Sequence, residues 1–239
     1  MCYSTALRKK REEIEQRLLS MIPANFKIPA EYKHYFHLNG FSHGNLYIIK
    51  MESPTLITPA QWGLVPDWAH NDPAAFYKKS NTLNAKSETL FERNSYKKSA
   101  QHKRCLILAD GFFEPHHENG VVIPNFCYQP SEAYPEGDLF LFAGLYNEID
   151  AQTNTATIIT MPANPFFTKV HNKQKRMPLV LDDANLEDWL DEGMNAPSLN
   201  EIMANGFTTK EFKAYPVSRN LYKKNMDTNQ AYIVEQSVE

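Results

Sequence analysis

The segment Arg104–Glu114 (RCLILADGFFE) is an almost unbroken apolar run. A strand with one wet face alternates apolar and polar residues. A run without alternation marks a strand covered on both faces. A chain containing such a strand must therefore build packed layers on either side of it, and 239 residues suffice for one large domain to do so.

The flanking sequence supplies those layers mostly as strands. Asn45–Trp68 holds the alternating, β-branched LYIIKM and then ITPAQWGLVPDW, broken by Pro59 and Pro66. Pro124–Tyr128, Leu139–Tyr146 (LFLFAGLY), Thr155–Met161 (TATIITM), a short Leu179–Leu181 and Phe212–Val217 read as further strands. Helical periodicity is confined to a few places. Ala6 to about Met21 carries Leu7, Ile14, Leu18 and Met21 on one face, with Ser4 or Thr5 as the capping oxygen and Pro23 as the stop. Leu186–Glu192 reads as a short acidic helix, and Ser80–Glu92 as an extended piece running into another. Strands dominate and helices intervene irregularly, which predicts an α+β fold and not a βαβ array. The expected architecture is a single domain over residues 1–225, built round a curved, mainly antiparallel sheet or barrel with peripheral helices. A polar C-terminal tail over 226–239 follows it.

Composition excludes several classes. No apolar stretch is long enough to span a bilayer, and the charged start MCYSTALRKKREE has no apolar core of a secretory signal, so a cytoplasmic location is expected. The net charge of −3 argues against a strongly basic nucleic-acid binder. However, Asp182–Glu192 concentrates acids without a single Lys or Arg, so the rest of the chain is net positive, with clusters at Arg8–Arg11, Lys97–Arg104, Lys169–Arg176 and Arg219–Lys224. Three widely spaced cysteines make neither a disulfide framework nor a metal-binding pair. His34, His37 and His43 lie in a polar, Gly-containing loop, Lys33–Asn45, without a nearby Cys, and nine glycines form no phosphate loop. No metal or organic cofactor is expected.

The chemistry centres on Cys2. Cys105 and Cys127 sit in apolar surroundings and read as buried thiols. Removal of Met1 would leave Cys2 with a free α-amine beside its thiol, a 1,2-aminothiol. Ordinary pKa values of about 7.7–8.0 and 8.5 leave both groups partly deprotonated near neutrality. Such a pair condenses with an aldehyde to an imine and then closes a thiazolidine ring. Three polar motifs at the ends of apolar segments join it: Asn84-Ala-Lys-Ser-Glu88, Ala109-Asp-Gly-Phe-Phe-Glu114, and His171 followed by Arg176-Met-Pro178.

Taken in order, the Met1-Cys2 start, WGLVPDW at Trp62–Trp68, the Asn84 motif, the Glu114 motif, FAGLY at Phe142–Tyr146, TMPAN at Thr160–Asn164, the His171…Arg176-Met-Pro segment and Pro216-Val-Ser218 resemble the SRAP (SOS response-associated peptidase) family, from residue 2 to about 220. That resemblance implies a protein that shields and processes abasic sites in single-stranded DNA. It implies Cys2 as the nucleophile, Asn84 as its positioning partner, Glu114 as general acid–base, and His171 as an assistant in sugar ring-opening and strand cleavage. It places a phosphate contact on Lys86; Arg8 or Lys9 stands as a replacement for a family arginine absent here, Arg176 is a further DNA-contact candidate, and Trp62, Trp68 and Phe112 or Phe113 are candidates to stack on bases. A monomer acting on single-stranded DNA is expected.

The sequence also departs from the family pattern. Tyr3-Ser4 stands where Gly-Arg is usual, Lys86 where an arginine is usual, and Pro115-His116 where a tryptophan follows the glutamate. The segment between His171 and Arg176 is lengthened. Two other readings remain open: a thiol peptidase using Cys2 and His171, and a single-strand binding module in which Cys2 is incidental.

Overall fold

The structure, a computed structural model, describes residues 2–237. The chain forms two sheets. The first has the order β12-β8-β7-β1-β2 and is antiparallel throughout, built from β1 (Ser4–Leu7), β2 (Tyr35–Asn39), β7 (Gly111–Glu118), β8 (Val121–Tyr128) and β12 (Lys213–Pro216). The second contains β3 (Asn45–Lys50), β4 (Ser53–Trp62), β5 (Asn84–Lys86), β6 (Arg104–Ala109), β9 (Phe140–Glu148), β10 (Asn154–Pro162) and β11 (Arg176–Pro178). Here β10 is the organiser. Its first half lies between β4 and β9, which closes the sheet into a ring, and its second half lies between β5 and β11. Only its pairings with β4 and β5 are parallel. The fold is α+β and mainly antiparallel.

The apolar run Arg104–Glu114 serves both sheets. β6 is buried on each face: Leu106 and Leu108 enter one core, Cys105 and Ile107 the other. At Asp110-Gly111 the chain leaves the ring and continues as β7 in the first sheet. The Phe126 ring lies where a Cβ on Gly111 would stand, 2.2 Å away, so only glycine permits this crossing. One apolar run thus forms two strands.

Several expectations are corrected. Ser4–Leu7 is not the start of a helix but β1, hydrogen-bonded to β2 on one side and β7 on the other. Helix α1 begins only at Arg11 and ends at Met21, and the Glu13 carboxylate caps it by accepting from Lys10 N at 2.8 Å, so neither Ser4 nor Thr5 does. Ile14 and Leu18 form its buried face, as the periodicity indicates. Pairing with two strands outweighs helical propensity in a segment whose middle residue, Thr5, is β-branched. The supposed loop Lys33–Asn45 contains β2. Leu179–Leu181 makes only single bridges, and the paired strand is β11 just before it. β4 runs through Pro59, which pairs with Tyr47 of β3 but lies outside the short stretch bonded to β10. The tail folds back as well: Ile233 is buried against Ala6, Phe113, Phe126, Val217 and Leu221.

The remaining helices are short: α2 (Pro73–Lys79), α3 (Lys97–His102), α4 (Pro165–Val170), α5 (Leu186–Leu190) and α6 (Ala196–Asn205). Three of them share one start signal. Asp72, Asn164 and Asn195 each cap the helix with a side-chain oxygen, and a proline occupies the first turn.

Candidate active site

Cys2 lies just ahead of β1, fully buried. Its carbonyl accepts a 2.7 Å hydrogen bond from Asn84 Nδ2, and the carbonyl of Tyr3 accepts one from Gly40 N at 2.8 Å. The thiol donates to Ser4 O at 3.6 Å. A strand held on two edges, with its first residues pinned from β5 and from the turn after β2, fixes Cys2 in place. Met1, whose removal would release the Cys2 amine, lies outside the described residues.

Asn84 opens β5, opposite Ile158 of β10, and its own carbonyl accepts from Tyr96 Oη at 3.1 Å. Glu114 lies in β7 opposite Asn125 and is wholly enclosed. His171 closes α4, with its N–H bonded to Phe167 O. Its Nδ1 is 2.9 Å from Glu114 Oε2 and 3.2 Å from the carbonyl of Arg176. Both neighbours are acceptors, so Nδ1 carries a proton. Four residues from separate motifs therefore meet at one centre: Cys2 and Asn84 by a direct bond, Glu114 and His171 by a buried pair. The two halves are coupled electrically. Burial pushes the Cys2 thiol well above its ordinary pKa, and the Glu114 charge pushes it further. The Cys127 thiol is raised by burial, Glu114 and Cys2 in turn. Cys105 and Cys127 are both buried, as their apolar surroundings indicate.

With its lengthened following segment, His171 lies 2.9 Å from Glu114. The extra residues fold into a closed turn in which Lys175 N donates to His171 O at 3.0 Å, with Lys175 in the left-handed region at φ 52°. Asn172 locks that turn to β7 in both directions, accepting from His117 N at 3.0 Å and donating to His117 O at 2.8 Å. His116 Nδ1 faces the carbonyls of Lys169 and Val170 at 3.0 and 3.2 Å. The Pro115-His116-His117 departure and the lengthened loop thus fit one another.

The expected DNA contacts are more dispersed. Lys86 is exposed at the end of β5. Arg176 makes a bidentate bond to Glu88 at 2.6 and 2.9 Å and donates to Thr160 O. Arg8 is turned inward onto the buried Asp110, with further bonds to the carbonyls of Asp110 and Glu136. Trp62 is a core residue: it is fully enclosed, and its indole N–H donates to Leu83 O at 2.8 Å. Phe112 and Phe113 are buried as well. Trp68, in contrast, is 64% exposed, edge-on to Phe76. His37 and His43 are tied to Ser4, Thr228 and the carbonyl of Trp62.

Beside the centre opens a groove of about 1220 Å³, walled in part by Tyr3, Ser4, Phe113 and Pro115, the neighbours of Cys2 and Glu114. Sequence reading missed this wall because no periodicity brings residues 3, 41 and 222 together.

Residues 1–224 match the family model of the SOS response associated peptidase (SRAP). The chain belongs to the SRAP family. Among its relatives is the abasic site processing protein YoqW of Bacillus subtilis, 31% identical over 182 residues, covering 74% of this chain and 76% of that one. The abasic site processing protein HMCES of Gallus gallus is 33% identical over 160 residues, covering 58% of this chain and 46% of its own. A solved structure from Bacteroides thetaiotaomicron superposes with a TM-score of 0.82 at 25% identity, covering 99% of this chain and all of that one. A Bordetella bronchiseptica protein shares the fold at a TM-score of 0.70 and 21% identity, covering 91% of this chain. In this SRAP chain no described helix is long and apolar enough to cross a membrane.

Proposed function

We propose that this chain processes abasic sites in single-stranded DNA by covalent capture on Cys2, acting as a monomer. The observation that carries the reading is the environment of the buried Cys2. Its backbone is held by Asn84, and its thiol lies within the field of the Glu114 carboxylate, which itself pairs with His171. The names of its relatives supply the substrate class.

The environment orders the steps. With its pKa raised by burial and Glu114, the thiol stays protonated near neutrality, so the α-amine is the first nucleophile. The amine adds to the aldehyde of the ring-opened deoxyribose, and the resulting carbinolamine loses water to give an imine. Glu114 shuttles the proton that makes hydroxide a water leaving group. The thiol then adds across the C=N bond, its sulfur to carbon and its proton to nitrogen, and closes the thiazolidine. The net change is loss of one water. From the imine, removal of a C2′ proton expels the 3′ phosphate by β-elimination. His171, paired with Glu114, is the base we assign to that branch and to sugar ring-opening. The carbonyl bond from Asn84 holds the nucleophile without using either of its reactive groups. Self-removal of Met1, by addition of water across the Met1–Cys2 peptide bond at the same centre without a Cys2 thiolate, completes the proposal.

The thiol peptidase reading needs the thiolate of Cys2 and a histidine to generate it. Burial disfavours that thiolate, and His171 is engaged with Glu114. The test is intact-mass spectrometry after mixing the protein with a single-stranded oligonucleotide carrying one abasic site. Wild type should gain the mass of the DNA minus one water. A form retaining Met1 should gain nothing, and Cys2→Ala, which keeps the α-amine but goes no further than a hydrolysable imine, should retain no adduct after heating. Absence of the adduct with Met1 demonstrably removed would refute capture.

A further inference from the structure

Within the reading of the chain as an abasic-site protein, we propose that Tyr3 and Phe41 form a stacking platform for a nucleobase flanking the lesion, in one groove with a basic wall of Arg219, Lys223 and Lys224 that holds the phosphates of the same single strand of DNA. Tyr3 is the residue directly after the nucleophile, so whatever stacks on it lies one side chain from the reacting sugar.

Tyr3 and Phe41 act as one surface. Their ring centroids are 5.0 Å apart at 35°, and the turn that carries Phe41 is tied to Tyr3 by the Gly40 N–H to Tyr3 carbonyl bond of 2.8 Å. The Asn39 side chain in turn accepts from Phe41 N at 3.0 Å and holds that turn closed. Phe41 is nevertheless 60% exposed, an unusual cost for a phenylalanine held so firmly. An apolar ring kept in water on a rigid turn is suited to a flat apolar partner, because little ordering entropy remains to be lost on binding.

The rest of the lining has the complementary chemistry. Arg219, Lys223 and Lys224 line the same groove as Tyr3 and Phe41, and Tyr222 among them is 47% exposed. Interleaved aromatic and basic side chains along one groove are what a single strand requires: faces for its bases, cations for its backbone. The groove also reaches the residues next to the reaction centre: Tyr3, which follows Cys2, and Phe113 and Pro115, which flank Glu114, all line it. A strand lying along the groove would deliver its sugar to Cys2 with the neighbouring base on the Tyr3–Phe41 pair.

The experiment measures reversible binding by fluorescence anisotropy, using a labelled single-stranded oligonucleotide without an abasic site. A second oligonucleotide of equal length has its central bases replaced by tetrahydrofuran spacers, which keep the phosphates and carry no aldehyde. Phe41→Ala should weaken binding of the ordinary oligonucleotide about tenfold and leave the spacer oligonucleotide within twofold of wild type. Lys223→Ala/Lys224→Ala should weaken both and reduce the slope of log affinity against log salt by roughly 0.7 for each phosphate no longer neutralised. Equal effects of Phe41→Ala on the two oligonucleotides, or none on either, would overturn the stacking platform. Unchanged salt dependence in the double variant would overturn the basic wall. The outcome is independent of capture: a wild type that forms no adduct yet shows the base-dependent loss refutes capture and keeps the platform, and an adduct-forming wild type with no base-dependent loss does the reverse.

Discussion

His171 Nδ1 stands 2.9 Å from Glu114 Oε2 in a pocket that encloses both side chains, although His171 caps the end of α4 and Glu114 belongs to β7. The pair divides the proposed chemistry, with the carboxylate beside Cys2 and the imidazole one step behind it. Glu114→Gln keeps the shape and removes the proton acceptor. It should slow adduct formation by a factor of about 10² to 10⁴, measured in a quenched time course with abasic single-stranded DNA. His171→Ala should spare the adduct to within about tenfold and mainly depress strand cleavage. Adduct formation by Glu114→Gln at the wild-type rate would remove Glu114 from the mechanism.

The closed turn after His171 depends on Asn172, which exchanges two hydrogen bonds with the His117 backbone. Asn172→Ala should lower strand cleavage about tenfold by loosening the imidazole while costing no more than about 1–3 kcal/mol in denaturant unfolding. Asn172→Asp keeps the acceptor and should restore part of the rate. Cleavage unchanged in Asn172→Ala would show that the turn holds His171 without its clasp.

Arg8 gives a stability prediction. Its guanidinium meets an Asp110 carboxylate that is entirely buried, and desolvation already pushes the Asp110 pKa up despite the arginine. Arg8→Ala would strand that carboxylate and should destabilise the fold by about 3–5 kcal/mol. Arg8→Ala/Asp110→Asn should recover much of the loss in urea titrations. A fully stable Arg8→Ala that lost only salt-sensitive DNA binding would instead return Arg8 to the phosphate-binding role suggested by its position.

His37 predicts an acid-sensitive clamp. Its ring lies between Ser4 Oγ at 3.0 Å and Thr228 Oγ1 at 2.6 Å, edge-on to Phe113, and burial holds its pKa down to about 4 from 6.5. The unfolded chain takes up the proton near 6.5 and the folded chain only near 4. Stability is therefore full above pH 6.5 and is lost as pH falls through that window, by up to roughly 3 kcal/mol. Unfolding free energies of wild type and His37→Asn should converge between about pH 7 and about pH 4. Parallel curves for the two would show that His37 does not titrate with folding.

Much of this was legible in the residues themselves. The alternating and continuous apolar runs identified most of the strands because burial by a sheet leaves its period in the chain, whereas Cys2, Asn84, Glu114 and His171 were singled out together by the ordered motifs that resemble the SRAP family. Local pattern could not reveal that RCLILADGFFE turns from one sheet into the other, since β3 and β9, which pair with its first half, and β1, which pairs with its second, are distant in sequence. Nor could it show that STAL is a strand, because β2 and β7, which hold it, are distant in sequence. The Asx-Pro starts of α2 and α4 were present as local signals, whereas Trp62 and Trp68 are indistinguishable by type and differ only in what packs over them. Residue chemistry and periodicity are properties of the chain. Which aromatic meets solvent, which arginine is committed to a buried acid, and whether Tyr3 faces Phe41 are decided by long-range packing, and these belong to the tertiary structure alone.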